Sequence, residues 1–194
     1  MTRIIIGISG ASGAIYGIRA LQILKEDPDI ETHLILSKAA SRTIEIETDW
    51  KVSEVRGLAS ASYSEEQIEA PIASGSFQTA GMLIAPCSIK TLSAVANSYG
   101  DNLLTRAADV QLKEGRPLVL MVRETPLHPG HIRLMGLAAS SGAVIFPPVP
   151  AFYGFPQSLD DIVSGSVGRA LSRLGVDNSV YPRWDGGSQG GAGE

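Results

Sequence analysis

Short apolar runs alternate with amphipathic stretches along most of the chain. Runs rich in Ile, Leu and Val are typical of buried strands in a parallel sheet, and they lie at residues 3–9, 32–37, 81–87, 117–122 and 142–147. Stretches with helical periodicity predict helices at residues 13–25, 38–47, 88–97, 103–114, 131–141 and 159–174. This alternation predicts an α/β fold of three layers, a parallel sheet with helices on both faces.

The chain shows no internal repeat and no linker before its last residues, which predicts a single domain over residues 1–185. The closing stretch GGSQGGAGE has the composition of a flexible end. We therefore predict a flexible Gly-rich tail over residues 186–194.

Composition narrows the class of protein. A net charge of −4 argues against a nucleic-acid or anionic-membrane surface, and no apolar run reaches the length of about 18 residues that a membrane span needs. The single cysteine, Cys87, and the absence of a signal-peptide pattern predict a cytoplasmic protein. The three histidines form no zinc-binding pattern, so no metal is expected. The charged content of 19% is somewhat low, which favours burial of some surface against other copies.

The stretch GISGASGAIYG, residues 7–17, lies where the first strand should lead into the first helix. Small residues at Gly10, Ala11, Ser12 and Gly13 would present backbone N–H groups to an anion. The stretch matches neither the dinucleotide fingerprint nor a Walker loop. Taken alone, it is equally compatible with a phosphate site and with a plain tight turn. Ser12 would either cap the helix or face a ligand.

Ligands of parallel α/β sheets bind beyond the carboxyl ends of the strands. The residues that follow the predicted strands are therefore candidates for the site, namely residues 10–13, Ser37, residues 87–91, Arg123 and Glu124. Their backbone donors, hydroxyls, cation and acid suit a phosphorylated ligand with a polar chain. Ser88 would either cap a helix or bind that ligand. Cys87 has no histidine in a known catalytic pattern, so we predict a buried small hydrophobe and not a nucleophile.

Two predicted helices carry charged side chains whose role the spacing leaves open. Arg106 and Lys113 are two helical turns apart, with Asp109 on the same stripe, so they form either an exposed ion-pair ladder or a cationic face for a phosphate. Glu45 and Glu47 are two residues apart and lie on different helical faces. Only one of these two glutamates can point towards the site.

Several blocks in the same order resemble the flavin prenyltransferase family, the UbiX-like proteins. The blocks are GISGASGAIYG, LILSKAA, IETDW, ASGSF, PCSIKTLS, DNLLTRAADVQLKEGRPLVLMVRETPL, PPVPAFY and YPRW. The resemblance implies a Rossmann-like or flavodoxin-like sheet and a trimer-based homo-oligomer, a dodecamer. It also implies metal-independent transfer of a dimethylallyl group from dimethylallyl monophosphate to N5 and C6 of reduced FMN. The prenylated FMN would serve a UbiD-type decarboxylase of aromatic or unsaturated acids.

The resemblance further implies roles for individual residues. The FMN-binding set is Gly10, Ala11, Ser12, Ser37, Ser88, Ile89, Lys90, Thr91 and Arg123. The set around the phosphate of the prenyl donor is Arg106, Lys113, Tyr153 and Arg169, with Arg106 reaching into a neighbouring subunit's site. The catalytic set is Ser12, Glu47, Lys113 and Glu124. In it, Glu124 would protonate the departing phosphate and Glu47 would move a proton at the flavin.

The chain departs from the family pattern at two places. Relatives carry an aromatic residue shortly before the ASGS block, where this chain has Ile68 or Glu69, so Trp50 or Phe77 would have to shield the allylic cation. The segment LHPGHIRLM, residues 127–135, also differs and would reshape a helix start over the site.

Two other functions share the expected fold. One is the FMN-dependent oxidative decarboxylation of peptidyl cysteine, whose sequence blocks this chain lacks. The other is a non-catalytic FMN-binding or regulatory subunit, which would not need a second phosphate site.

Overall fold

The computed structural model describes residues 1–184 and 186. The strands are β1 (Thr2–Ile8), β2 (Ile30–Leu36), β3 (Ala61–Ser64), β4 (Gly81–Cys87), β5 (Leu118–Val122) and β6 (Val144–Ile145). The helices are α1 (Ala14–Lys25), α2 (Lys38–Glu47), α3 (Val52–Arg56), α4 (Ile89–Ala96), α5 (Leu103–Lys113), α6 (Pro129–Ser140) and α7 (Leu159–Ser172). Every strand pair is parallel, in the order β3-β2-β1-β4-β5-β6.

The sheet is buried on both faces, which explains its nearly continuous apolar strands. Along β1 the side chains alternate between the faces, so that Ile4 and Ile6 join one apolar cluster and Ile5 joins the other. Helices α1, α2, α3 and α7 pack on the face of Ile4. Helices α4, α5 and α6 pack on the face of Ile5. The predicted three-layer α/β fold is confirmed.

The sequence pattern missed two elements and overextended a third. β3 consists of ASYS, four half-buried residues without Ile, Leu or Val, and it forms an edge strand because it pairs only with β2. α3 has five residues, too few to show helical periodicity. β6 is limited to Val144 and Ile145, although the apolar run predicted a strand over residues 142–147. The predicted tail over residues 186–194 lies outside the described residues, except for Gly186.

The order of the strands reverses beside β1, because the chain moves from β1 to β2 and β3 on one side and then continues at β4 on the other. Such a switch point leaves a crevice at the carboxyl ends of the two strands, where α/β proteins bind their ligands. Within residues 1–184 and 186, no helix is long and apolar enough to cross a membrane.

Candidate active site

A groove of about 700 Å³ lies at this switch point. Residues that directly follow β1, β2 and β4 line one side of it: Ser9, Gly10, Ser37, Ser88, Lys90 and Thr91. Residues from the end of α4 to the start of α5, such as Asn97 and Asn102, line the other side. Five of the positions that the strand ends had indicated therefore line the groove, namely Gly10, Ser37, Ser88, Lys90 and Thr91.

The turn between β1 and α1 reaches this groove through Gly10. Gly13 adopts a left-handed conformation, with φ of 98°, and is itself the N-cap of α1. Ser12 therefore does not cap the helix, and its exposed side chain is available to a ligand. A side chain at Gly10 would collide with Ala39 of α2, so glycine lets the turn and α2 approach each other.

Glu47, the last residue of α2, binds the turn between β1 and α1. Its Oε2 accepts the Gly13 N–H at 2.7 Å, although the two residues are 34 positions apart. Glu45 is also exposed on α2 but makes no such contact with the turn. Of the two candidate glutamates, the structure therefore brings Glu47 to the site.

Serines cap two of the three helices that begin at the groove, α2 and α4, and Asn102 caps the third, α5. Ser37 Oγ accepts the Ala40 N–H at 3.0 Å, and Ser88 Oγ accepts the Thr91 N–H at 3.2 Å. The capping role that the sequence alone left open for Ser88 is thus seen in the structure, and Ser37 caps α2 in the same way. The positive ends of α2 and α4 lie at the groove.

The two helix starts differ in the donors that they leave for a ligand. On α2, the Lys38 N–H is already bound by Glu65 Oε1 at 2.7 Å. On α4, Ile89 and Lys90 hold the first two helical N–H groups, which have no acceptor within their own helix. The start of α4 therefore offers the better place for a phosphate, and with the exposed turn and the hydroxyls of Ser37 and Thr91 it suits a phosphorylated flavin.

Arg123 and Glu124 follow β5 at the same edge of the sheet. The Arg123 N–H donates to the Cys87 carbonyl at 3.2 Å, which holds this loop against the end of β4. Burial raises the pKa of Tyr16 on α1, and the positive charge of Arg123 partly opposes this rise, so the guanidinium acts close to the start of α1. Glu124 is exposed, and its carboxylate accepts the Thr125 N–H at 3.0 Å.

A second pocket, of about 530 Å³, lies between the segment after β6, α7 and the C-terminal segment. Tyr153 and Arg169 both line it. The Tyr153 hydroxyl donates to the Pro182 carbonyl at 3.1 Å, and its ring meets Trp184 edge-on with centroids 5.7 Å apart. The pocket thus combines the Arg169 cation and the Asp161 carboxylate with aromatic rings such as that of Tyr153, and Trp184 contacts Tyr153 without lining the pocket.

Comparison with known proteins agrees with this geometry. The family model described as Flavoprotein matches residues 1–169. Flavin prenyltransferase UbiX of Escherichia coli K12 is 59% identical over 188 residues, which are 96% of this chain and 100% of that protein. The chain belongs to the flavin prenyltransferase family of flavoproteins.

Solved structures of the family superimpose closely on this flavoprotein. One is a dodecameric FMN-dependent UbiX-like decarboxylase from Escherichia coli O157:H7, with a TM-score of 0.93, 45% identity and coverage of 95% of this chain and 100% of that one. Another is AnUbiX (PadA1) in complex with FMN and dimethylallyl pyrophosphate, with a TM-score of 0.92, 46% identity and coverage of 95% and 98%.

The cations of α5 do not meet the second pocket within one subunit of the flavoprotein. Arg106 pairs with Asp109 at 3.7 Å and Lys113 pairs with Glu114 at 2.7 Å, both on the partly exposed surface of α5. α5 covers one face of the sheet, whereas α7 with Arg169 covers the other. One subunit alone therefore cannot bring Lys113 and Arg169 to the same phosphate.

Phe77 and Trp50, the two aromatic residues that would shield the allylic cation, lie in different parts of the flavoprotein. The Phe77 ring packs edge-on against the His33 ring, with centroids 5.1 Å apart, and Arg3 Cζ lies 4.8 Å from the Phe77 ring centroid. Phe77 therefore lies near the amino ends of the strands, away from the groove of its own subunit. Trp50 is half-buried against the α1 face of the core, shortly after Glu47. Ile68 is 60% exposed.

Several residues of the groove escaped the sequence analysis, among them Ser9, Asn97 and Asn102, and so did the contact of Trp184 beside the second pocket. Ser9 is a buried hydroxyl at the end of β1, and its role depends on a partner loop 77 residues away. Trp184 stands in the YPRW block, but only folding shows that it meets Tyr153. Within residues 1–184 and 186, no three His, Cys, Asp or Glu side chains gather in a way that could hold a metal ion.

Cys87 is fully buried, as predicted, and burial raises the pKa of its thiol to about 12. We expect iodoacetamide at pH 8 to leave the native protein unlabelled, because the thiol is protonated and shielded. Mass spectrometry of the labelled chain measures this, and the unfolded protein in guanidinium is the control that should take up one label. Equal labelling of the native and unfolded protein would contradict the assignment.

Proposed function

We propose that this protein is a flavin prenyltransferase that transfers the dimethylallyl group of dimethylallyl monophosphate to N5 and C6 of reduced FMN, without a metal. The observation that carries the proposal is the groove in which Gly10 of the turn after β1 and the starts of α2 and α4 converge. Support comes from the UbiX relative at 59% identity and from AnUbiX, whose structure holds FMN and dimethylallyl pyrophosphate.

FMN would be held by the residues in and around the groove that the family resemblance names: Gly10, Ser37, Ser88, Lys90 and Thr91 line it, and Ala11, Ser12, Ile89 and Arg123 lie beside these in the chain or at the same edge of the sheet. Backbone N–H groups and hydroxyls of this set suit its phosphate and ribityl chain, and the guanidinium of Arg123 adds a positive charge. Reduced FMN supplies the nucleophile of the reaction when it is bound.

The prenyl donor would place its phosphate against Tyr153 and Arg169 in the second pocket. Cleavage of the carbon–oxygen bond leaves negative charge on the departing phosphate, and fixed cations stabilise that charge in a site without water. Because α5 and α7 cover opposite faces of the sheet, Lys113 and Arg106 would reach this phosphate from a neighbouring subunit. Glu124 would give the phosphate a proton as general acid.

The protein must also protect an allylic cation from water. Tyr153 and Trp184 form an aromatic pair beside the pocket, which offers π faces to a cation in place of the aromatic residue missing at position 68. Glu47 and Ser12 lie at the turn after β1, where the Glu47 carboxylate would accept or return a proton at the flavin.

We further propose a trimer-based homo-oligomer, a dodecamer, as in the UbiX-like structure from Escherichia coli O157:H7. α6 supports this assembly, because Ala138 is its one buried residue while Ile132 is 59% exposed. Apolar side chains of this kind favour coverage by another copy. A UbiD-type decarboxylase would use the prenylated FMN, and the single buried cysteine suits a cytoplasmic location.

The test is an anaerobic reaction of the protein with reduced FMN and dimethylallyl monophosphate, followed by mass spectrometry of the extracted flavin. We expect a flavin heavier by one prenyl unit, about 68 Da, and none with Glu124→Gln. Unmodified FMN despite tight binding of both ligands would overturn the transferase function in favour of a flavin-binding subunit.

A further inference from the structure

Ser9 is the residue that joins the two loops of the flavin groove. It directly follows β1, lines the groove and is 1% exposed. Its hydroxyl donates to the Pro86 carbonyl at 2.7 Å and accepts the Ser88 N–H at 2.8 Å. Its own N–H donates to the same Pro86 carbonyl at 3.2 Å. One side chain thus connects the end of β1 to the start of α4.

Regular pairing of the strands does not reach this far. The paired positions of β1 and β4 end at Gly7 and Ile84, and the register of β4 against β5 shifts between Ile84 and Cys87. Beyond that point the hydrogen bonds of Ser9 to Pro86 and Ser88 connect the two chain segments in place of strand pairing. The distance between the turn at residues 10–13 and the start of α4 therefore depends on this hydroxyl.

We propose that Ser9 is a positioning residue of the FMN site. Its hydroxyl holds the donor groups of the turn and those of Ile89 and Lys90 at the spacing that one FMN molecule requires, without touching the flavin. The inference rests on the proposed function, since it takes FMN as the ligand of the groove. It also explains why the Ser88 N–H points away from the ligand while the next two N–H groups of α4 remain for it.

The experiment measures FMN affinity of the full-length protein stripped of flavin, by quenching of flavin fluorescence, with wild type, Ser9→Ala, Ser9→Thr and Ser60→Ala. Ser9→Ala leaves the Ser88 N–H buried without its acceptor, and we expect the FMN dissociation constant to rise on the order of tenfold. Ser9→Thr keeps the hydroxyl and is expected to restore affinity to within about threefold of wild type.

Ser60→Ala is the matched control. Ser60 Oγ also accepts a backbone N–H, that of Thr32 at 3.1 Å, but at the amino end of β2 and far from the groove. We expect this variant to lose thermal stability as Ser9→Ala does and to keep its FMN affinity. If both variants lost affinity alike, or if Ser9→Ala bound FMN as tightly as wild type, the positioning role would be wrong.

A second pair of measurements separates this role from a general loss of structure. In the prenyl-transfer assay, Ser9→Ala should raise the KM for FMN while kcat at saturating FMN stays within about twofold of wild type. If Ser9→Ala does not fold, Ser9→Cys takes its place in the experiment, because the thiol has a similar shape but is only a weak hydrogen-bond donor and acceptor. Unchanged FMN affinity in Ser9→Cys would then overturn the proposal. FMN binding by wild type, measured alongside, tests the proposed function separately.

Discussion

Lys113→Met and Arg169→Met are each expected to lose activity by at least about 100-fold, and a mixture of the two variant chains is expected to regain part of it. Both cations are predicted to bind the phosphate of the prenyl donor, yet α5 and α7 cover opposite faces of the sheet in one subunit. A complete site then takes Arg169 from one subunit and Lys113 from its neighbour. Random mixing in equal amounts leaves about a quarter of the sites with both cations intact.

The measurement is prenyl transfer by oligomers co-expressed from two tagged chains and purified through both tags. FMN binding should be unchanged in every variant, because neither residue belongs to the flavin set. The matched control mixes Arg169→Met with Tyr153→Phe, two changes in the same pocket, and its activity should equal the average of its components. If the mixture of Lys113→Met with Arg169→Met also showed only the average activity of its components, the site would not be shared between subunits.

Glu47→Gln is expected to lower kcat by about 100-fold or more while FMN affinity stays within about twofold of wild type. The reason is that Glu47 has two separable roles. Its Oε2 accepts the Gly13 N–H at 2.7 Å, and an amide oxygen accepts the same bond. An amide, however, cannot exchange the proton that the proposed reaction requires at this position.

Glu47→Ala removes both roles, so FMN affinity should fall together with kcat. Glu45→Gln is the matched control, because Glu45 is an exposed glutamate of the same helix on another face and should behave like wild type. Steady-state kinetics of prenyl transfer and flavin-quenching titrations measure the two effects. Full turnover by Glu47→Gln would contradict the proton-transfer role and leave Glu47 as a brace for the turn.

Much of this architecture could be predicted because it depends on local sequence. The run IIIGI, residues 4–8, has no polar face, so it forms a strand that is buried on both faces of the sheet. Ser37 and Ser88 each follow a strand and precede a helical pattern, and an N-cap needs only the N–H three residues later.

Elements whose local sequence carries little information were not predicted, because contacts with distant residues hold them in place. The strand β3 is held by its pairing with β2, and its own four residues, ASYS, are too few and too weakly apolar to indicate a strand. Its place at the edge of the sheet follows from contacts with residues about 28 positions earlier in the chain. No pattern within four residues contains that information.

The sequence by itself determined the alternation of strands and helices, strand-end residues of the site and the resemblance to flavin prenyltransferases, which implied a role for Glu47. Only the tertiary structure decided that Glu47 meets the turn through the Gly13 N–H, that Ser9 joins the ends of β1 and β4, and that Trp184 lies against Tyr153. It also placed Lys113 and Arg169 on opposite faces of the sheet. The physical reason is that periodicity and capping act over a few residues, whereas the path of the chain over the sheet sets which distant side chains meet.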